Sequence, residues 1–267
     1  MISSLATAAL VTALAQTPAR STPPPAPPVV QTVSAPTTAP PNPFSNLFKN
    51  LATDAKAMVS PSTAAILGVG GLAAFVVHTN DDQKLYDWVQ KRDPKSQSSD
   101  IANFLGNDFV QSGGSIVVWG VGKGTHNVKT ETLGADLIRA HVLNGLLTQA
   151  IKVAVQRKRP SGANYSFPSG HTSSSMTTAA VIQDHFGLAP ALPFYALGSA
   201  IAFARIRTNH HWLSDTVFGA ALGIASGRAS TRYHATRWNV TPVKTPGGVA
   251  IYVTRTSTSR TASPSRR

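Results

Sequence analysis

The chain has 267 residues and no cysteine, and its 24 Lys and Arg residues against 11 Asp and Glu give a formal net charge of +13. The lack of cysteine excludes disulfides, thiol nucleophiles and zinc sites built on thiolates. The positive charge predicts an anionic partner, and a phosphate group, an anionic lipid surface or a nucleic acid would each satisfy that requirement. The length suits one domain with a sizeable core between two disordered ends.

The N-terminal segment, residues 1–15, is an uncharged apolar run that ends in the small-x-small pattern Ala13-Leu14-Ala15. This pattern is typical of a secretory signal peptide and predicts an exported protein, either periplasmic or secreted. Because no Lys or Arg precedes the apolar run, its retention as a membrane anchor remains an alternative. Residues 16–43 contain ten of the nineteen prolines and are predicted to be a disordered linker, since such a proline density excludes regular helix and sheet.

The central region, residues 44–238, carries apolar residues at spacings of three and four. This periodicity predicts an all-α domain, a bundle of helices punctuated by Gly and Pro. The predicted helical stretches are 101–110, 135–155, 173–186, 191–206 and 213–229.

The C-terminal region differs from the helical domain. In residues 239–253, two β-prone runs flank the turn Thr245-Pro246-Gly247-Gly248, a pattern that predicts a small β-hairpin. Residues 254–267 are mostly Ser, Thr and Arg and are predicted to form a disordered basic tail.

Two apolar runs, residues 64–77 and 191–204, are the best candidates for crossing a membrane. Each run is only 14 residues long, which fits a buried core helix better than a span. Charged residues such as Arg139 and Lys152 within other predicted helices would be costly in lipid. The sequence therefore favours a water-soluble or peripherally attached bundle, although a membrane enzyme with a polar active-site helix would have a similar sequence.

The first cluster of candidate site residues is the basic run from Lys152 to Arg159, followed by Pro160. A spacing of seven places Lys152 and Arg159 on nearly the same helix face, with Pro160 expected to end the helix. Two converging cations suit a phosphate, because Arg offers a bidentate fork and Lys a point charge. A solvated basic face is the alternative interpretation of this cluster alone.

The second cluster is Ser169-Gly170-His171, a turn that leads into a predicted helix. The free amides and dipole of a helix N-terminus bind phosphate, Gly170 permits close approach, and the Ser169 hydroxyl is a further donor. His171 would lie beside the bound group, where an imidazolium can protonate a leaving oxygen. An ordinary helix cap with an incidental histidine is the competing interpretation.

The third cluster contains Arg205, His210, His211 and Asp215. On a helix, the spacing of four would let Asp215 accept the Nδ1 proton of His211, which leaves Nε2 as a nucleophile. Asp215 or its neighbour Ser214 would also cap the following helix. A metal site formed by His210, His211 and Asp215 is a competing interpretation, but the surrounding cations would repel a metal ion.

In chain order the clusters read Lys-x6-Arg-Pro, Pro-Ser-Gly-His and Arg-x5-His-x3-Asp. This pattern resembles the three-part signature of the type 2 phosphatidic acid phosphatase and vanadium haloperoxidase superfamily. The resemblance covers residues 152–215 directly, and the helical pattern from about residue 80 to 230 is similar to the family's core. Many members have Ser before the third-motif Arg, where this chain has Ala204. The resemblance implies a helical bundle of the type 2 acid phosphatase and haloperoxidase type.

The resemblance also implies roles for the site residues. His211 would attack phosphorus to form a phosphohistidine, Asp215 would support His211, and His171 would protonate the leaving group. The phosphoryl oxygens would be bound by Lys152, Arg159, Ser169, Gly170 and Arg205. The residues alone indicate the same roles, because phosphoryl transfer needs chiefly positioning and charge neutralisation, which these cations and amides supply without a metal.

We therefore expect a phosphoric ester hydrolase that acts on phosphate monoesters or lipid (di)phosphates, with no cofactor and no nucleic-acid partner. The identity of the ester, peripheral membrane association and the oligomeric state are left open by the sequence. A vanadate-dependent haloperoxidase is one alternative, because the same residues would hold vanadate as a histidine adduct. A basic nucleic-acid or envelope-binding protein is the other, supported by the basic tail.

Overall fold

The computed structural model describes residues 47–92, 97–232, 236–245 and 248–257. The helices are α1 (Leu47–Ala57), α2 (Pro61–Asn80), α3 (Asp82–Arg92), α4 (Gln97–Leu105), α5 (Asp108–Gly124), α6 (Val128–Val155), α7 (Gly170–Phe186), α8 (Leu188–Arg207) and α9 (Leu213–Thr231). Strands β1 (Thr236–Thr245) and β2 (Gly248–Ser257) pair antiparallel, with Thr236 opposite Ser257 and Thr245 opposite Gly248. The predicted all-α class is confirmed for the domain.

The boundaries of several elements differ from the predicted ones. The helix predicted at 135–155 begins at Val128, because Asn127 caps it by accepting the N–H of Thr130 at 3.2 Å. The strands extend beyond 239–253 on both sides, and β2 includes the first four residues of the predicted tail, 254–257. The predicted signal segment, the Pro-rich linker and the rest of the tail lie outside the described residues.

Helices α7 and α9 pack closely along a ridge of glycines on α9. Gly219, Gly223 and Gly227 recur every four residues, and any Cβ on Gly223 would overlap the Ser173 carbonyl oxygen. A Cβ on Gly219 would lie 2.7 Å from the Ser169 carbonyl oxygen. Only glycine permits this backbone approach. The contacts advance in the same direction along both helices, so α7 and α9 run parallel and their N-termini lie side by side.

Helices α6 and α8 run in the opposite direction to these two. Asn144 of α6 donates to Ser173 of α7 at 3.1 Å, whereas His185, near the end of α7, contacts Asp136, near the start of α6, at 2.9 Å. On α8, Tyr195 near the start contacts the late α7 residue Gln183 at 2.7 Å. One end of the bundle therefore collects the C-termini of α6 and α8 together with the N-termini of α7 and α9.

At the opposite end, a buried ion-pair cluster joins α1, α6 and α9. The Arg139 guanidinium donates to Asp54 at 2.9 Å through Nε and to Asp136 at 2.8 Å through Nη1, and it also donates to the Ser230 carbonyl oxygen. Both carboxylate side chains are 1% exposed. Each charged side chain in this cluster therefore has an oppositely charged partner within the protein.

Helices α2 and α8 leave much of their apolar surface outside the core. Each has 20 residues, about 30 Å of helix, and both are long and apolar enough to cross a membrane. Only 17% of the most apolar stretch of α2 and 33% of that of α8 are buried, with Val69, Phe75 and Leu192 among the exposed side chains. The 14-residue runs at 64–77 and 191–204 are therefore shorter than the helices that contain them, because flanking polar residues extend each helix.

Candidate active site

The predicted site residues lie at the end of the bundle where α6 and α8 finish and α7 and α9 begin. The charge of Arg205 contributes to the pKa shifts of Lys152, His171 and His211, so these four side chains lie close together. The residues at this end are Lys152, Arg159, Ser169, Gly170, His171, Arg205, His211 and Asp215.

Lys152 and Arg159 approach each other, but not along one helix face. Helix α6 ends at Val155, and Gln156 adopts the left-handed conformation with φ of 50°. Arg159 therefore lies in the following loop, where its N–H donates to the Ala163 carbonyl oxygen at 2.7 Å. Burial, and then the charge of Arg159, lower the pKa of Lys152 to about 8. The helix-face explanation is wrong, because the left-handed residue ends the helix before Arg159.

Two of the three cations have neutral oxygens as hydrogen-bond partners. Lys152 Nζ donates to the Tyr165 carbonyl oxygen at 2.8 Å, and Arg205 Nη1 donates to Asn103 Oδ1 at 3.0 Å. The Nε–H groups of Arg159 and Arg205 are buried, and neither has an acceptor among the described residues. Since a buried donor without a partner is costly, these groups are available to an anionic ligand.

The N-terminus of α7 supplies backbone donors to the same place. Gly170 is the first residue of the helix, so its amide and those of the next two residues have no acceptor within the helix. The positive end of the helix dipole favours an anion here. Ser169 is fully buried, its N–H donates to the Asp215 carbonyl oxygen at 3.0 Å, and its hydroxyl pairs with Thr172 Oγ1 at 3.0 Å.

His211 lies beside Asp215 but does not share a helix with it, because α9 begins at Leu213. The distance from His211 Nδ1 to Asp215 Oδ2 is 3.6 Å, longer than a hydrogen bond. Asp215 Oδ2 instead accepts the Ser166 hydroxyl and, at 2.8 Å, the N–H of Trp212. Asp215 therefore caps α9 as predicted, and it orients His211 only if the two side chains move slightly closer.

Both histidines are held in the neutral form. Burial, partly offset by Asp215 and reinforced by Lys152, lowers the pKa of His211 to about 4. Burial and the charge of Arg205 lower the pKa of His171 to about 3. A neutral His211 has the lone pair that a nucleophile needs. A proton on His171 requires a nearby anion, and a phosphoryl group is one that would raise its pKa.

Arg157 and Asp82 belong to the site although the sequence did not single them out. Arg157 Nη1 donates to Asp215 Oδ1 at 2.6 Å, and Nη2 donates to Asp82 Oδ2 at 2.8 Å. Asp82 also accepts the N–H of Ser214 at 2.8 Å, and the Ser214 hydroxyl at 2.6 Å. Arg157 looks like any other member of the basic run, and Asp82 is distant in sequence, so neither carried a usable signal.

A second unassigned carboxylate, that of Asp108, also faces this end of the bundle. A Cβ on Gly170 would lie 3.3 Å from Asp108 Oδ2.

As for metals, the described part of the chain contains no group of three or more His, Asp or Glu side chains arranged to hold an ion. His210, proposed above as one ligand of an alternative metal site, has its Nδ1 3.0 Å from the Thr208 hydroxyl.

Comparisons with known proteins identify the relatives of this chain. The model of the PAP2 superfamily matches residues 134–239. A lipid A 1-phosphatase of Porphyromonas gingivalis is 32% identical over 109 residues, which are 39% of this chain. The match spans about a quarter, 24%, of that relative's length.

Two crystal structures match part of this chain. LpxE of Aquifex aeolicus is 22% identical, with a TM-score of 0.48 over 57% of this chain and 95% of its own. A transmembrane PAP2-type phosphatidylglycerolphosphate phosphatase of Bacillus subtilis is 15% identical, with a TM-score of 0.41 over 72% of this chain and 94% of its own. The matched region, 134–239, contains all three motifs, which lie on α6 to α9 and on the loops between these helices. The similarity to the PAP2 superfamily therefore covers the whole candidate site, from Lys152 to Asp215.

Proposed function

We propose that the chain is a phosphatase that hydrolyses phosphate monoesters or diphosphates carried by lipids, through a phosphohistidine and without a metal ion. The observation that carries the proposal is the pair of buried guanidinium Nε–H groups of Arg159 and Arg205, which have no acceptor among the described residues. They lie with Lys152 beside the N-terminus of α7 and the neutral His211. This arrangement is complementary to a phosphoryl group and a nucleophile.

In the proposed first step, His211 Nε2 attacks phosphorus while the bond from phosphorus to the ester oxygen breaks. The electron pair of that bond stays with the leaving oxygen, which takes a proton from His171. The three cations and the first amides of α7 bind the remaining phosphoryl oxygens. Arg157 and Asp82 hold Asp215 beside His211, and Asp215 stabilises the charge that forms on the imidazole.

In the second step, a water molecule attacks the phosphohistidine. Its proton passes to His171, the bond from nitrogen to phosphorus breaks, and inorganic phosphate leaves. The step restores neutral His211 and a protonated His171. Fixed cations neutralise the phosphoryl oxygens throughout, which is the role that metal ions have in other phosphoryl-transfer sites. We therefore expect full activity in the presence of excess EDTA.

The lipid part of the proposal rests on the outer surface of the bundle. The exposed apolar faces of α2 and α8 are each about as long as a bilayer core is thick. Arg205 lies near the C-terminal end of α8, so the site would be near one membrane surface, where a lipid phosphate presents its headgroup. The relative from P. gingivalis is a lipid A 1-phosphatase. With the predicted signal segment at 1–15, we propose that the site faces the outer side of the membrane.

The test compares turnover of lipid phosphates in detergent micelles with turnover of soluble phosphate esters by the full chain. We expect the lipid phosphates to be preferred. His211→Ala should abolish turnover of both, whereas His126→Asn, a change in the exposed turn between α5 and α6, should have no effect. Full activity of His211→Ala would exclude the histidine nucleophile. A preference for soluble esters would exclude the lipid substrate while leaving the chemistry intact.

A further inference from the structure

The turn between α4 and α5 carries two large apolar side chains on its outer side. Phe104 is the second-last residue of α4 and is 64% exposed, and Phe109 is the second residue of α5 and is 88% exposed. Large apolar side chains that are grouped on a surface mark a place where an apolar ligand or partner binds. The turn is therefore a candidate binding surface.

Hydrogen bonds of the turn itself set the positions of the two phenylalanines. Asn107, which lies between them, donates its N–H to the Phe104 carbonyl oxygen at 3.1 Å, and its side chain accepts the N–H of Phe109 at 2.9 Å. The Gly106 N–H donates to the Ala102 carbonyl oxygen at 3.0 Å, which fixes the end of α4. The backbones of Phe104 and Phe109 are thus held close together by Asn107.

The inner side of the same turn contacts the candidate active site. Asn103 Oδ1 accepts a hydrogen bond from Arg205 Nη1 at 3.0 Å. Gly106 is buried, and a Cβ on it would lie 3.3 Å from the Cβ of His171. The turn therefore forms a wall of the site beside His171, with Phe104 and Phe109 next to that wall.

The side of the site at His171 is where the leaving group would lie. In phosphoryl transfer the attacking and leaving atoms are on opposite sides of phosphorus, so the leaving oxygen points away from His211. In the proposed mechanism that oxygen takes its proton from His171. His171 is partly exposed, whereas His211 is only 2% exposed, so the site opens to the surface at His171. A chain attached to the leaving oxygen would pass His171 and reach the α4–α5 turn.

We propose that Phe104 and Phe109 bind the alkyl chain of the leaving group, so that the α4–α5 turn selects lipid phosphates over water-soluble esters of the same charge. The inference rests on the proposed function, because it concerns the substrate of the same site. Cations lie on one side of the turn and apolar rings on the other, which matches the charged headgroup and the apolar chain of a lipid phosphate. Contact between the chain and the rings removes apolar surface of both from water.

The experiment measures binding of alkylphosphonates, from methyl- to octylphosphonate, to the full chain in detergent by calorimetry. A phosphonate has a charged group like that of a phosphate monoester, but its carbon–phosphorus bond is not hydrolysed, so binding is measured without turnover. Full burial of a methylene favours binding by roughly fourfold, and contact on one side by about half that factor. We therefore expect the affinity of the wild type to rise by roughly twofold per methylene over the first few.

Two variants test the phenylalanines directly. Phe104→Ser and Phe109→Ser should each bind methylphosphonate as the wild type does and bind octylphosphonate roughly 3- to 10-fold more weakly. Because all the proteins meet the same micelles, the ratio of their dissociation constants cancels the partition of the octyl chain into detergent. Phe109→Leu keeps most of the apolar surface and should recover most of the affinity. The matched control is Phe186→Ser at the opposite end of α7, where the ring is 50% exposed, and it should change neither affinity.

Three results would overturn the proposal. Equal affinities for octylphosphonate in the wild type and both serine variants would show that the rings contact only the surrounding membrane. An equal loss of affinity for methyl- and octylphosphonate would assign the phenylalanines to the shape of the site instead. A loss of the same size in Phe186→Ser would show that any exposed ring has this effect.

The binding measurement also separates this inference from the proposed function. A loss of affinity that grows with chain length, found in a protein that hydrolyses no phosphate ester, would leave Phe104 and Phe109 as the chain-binding surface and exclude the phosphatase. Turnover of lipid phosphates together with equal affinities for octylphosphonate would do the reverse.

Discussion

The two ends of the bundle each contain a buried cluster of charged residues, and the clusters differ in what neutralises them. At one end, Arg139 is paired with the carboxylates of Asp54 and Asp136. At the other, Lys152 and Arg205 donate to a backbone carbonyl and an amide oxygen. Paired charges neutralise each other within the protein. Cations that donate only to neutral oxygens are not neutralised in this way, so most of their positive potential acts on a ligand. The bundle therefore has a structural cluster at one end, and at the other a cluster that we propose binds a phosphoryl group and call the binding cluster.

The largest expected effect is on catalysis at the binding cluster. Arg205→Ala removes a guanidinium that we propose binds the phosphoryl oxygens, and such a loss costs about 10²–10³-fold in kcat. Its thermal stability should be unchanged or slightly higher, because a buried cation beside Arg159 and Lys152 is repelled by them. Initial rates and thermal melting of the two proteins in the same detergent decide the matter. A large drop in Tm together with the loss of rate would assign Arg205 to the fold instead.

The structural cluster should show the opposite pattern. Arg139→Ala leaves Asp54 and Asp136 buried without their cation, and loss of one partner from a buried ion pair costs about 3–5 kcal/mol. We expect a lower free energy of unfolding in denaturant titrations, with a near-normal kcat for the fraction that remains folded. Arg92→Ala on the surface of α3 is the control, since its guanidinium lies over the exposed ring of Trp88. Equal stability of Arg139→Ala and the wild type would contradict this assignment.

The sequence predicted the binding cluster better than the structural one, and the reason is local spacing. Lys152, His171 and His211 stand in short motifs whose residue types suit phosphate, so their chemistry was visible before their contacts. Arg139 and Asp54 carry no such pattern, because they meet only when α1 packs against α6. Packing contacts of this kind depend on the tertiary structure, which spacing along the chain does not define.

The sequence indicated which residues lie close together better than it indicated how they are arranged in space. The spacing of seven between Lys152 and Arg159 suggested a helix face, yet a left-handed Gln156 interrupts the helix between them. The spacing of four between His211 and Asp215 suggested a helical pair, yet α9 begins only at Leu213. In both cases the residues meet through loop conformations, which the identities of the intervening residues do not specify.

A smaller effect is expected at Arg157, which connects the site to the rest of the bundle. Arg157 contacts Asp215 and Asp82, and it does not belong to the group that we expect to touch phosphate. Arg157→Ala should lower kcat by about 10–100-fold, by analogy with losses of outer hydrogen-bond partners elsewhere, and leave KM nearly unchanged. Arg157→Lys should recover part of the rate, because an ammonium can still pair with Asp215. A rise in KM with kcat unchanged would place Arg157 in substrate binding instead.

The smallest change to the binding cluster is a change of pH, because it alters the charges of the cluster without removing a side chain. Its effect is measured as the pH profile of kcat/KM. His211 must be neutral to attack, and its pKa is about 4. While the bound phosphoryl group keeps His171 protonated, the rate should therefore fall about tenfold per pH unit below pH 4. Lys152 must be charged to bind the phosphoryl oxygens, and its pKa is about 8, so the rate should also fall as the pH rises above 8. A profile that is flat from pH 3 to 9 would show that neither His211 nor Lys152 titrates as the geometry of the site requires.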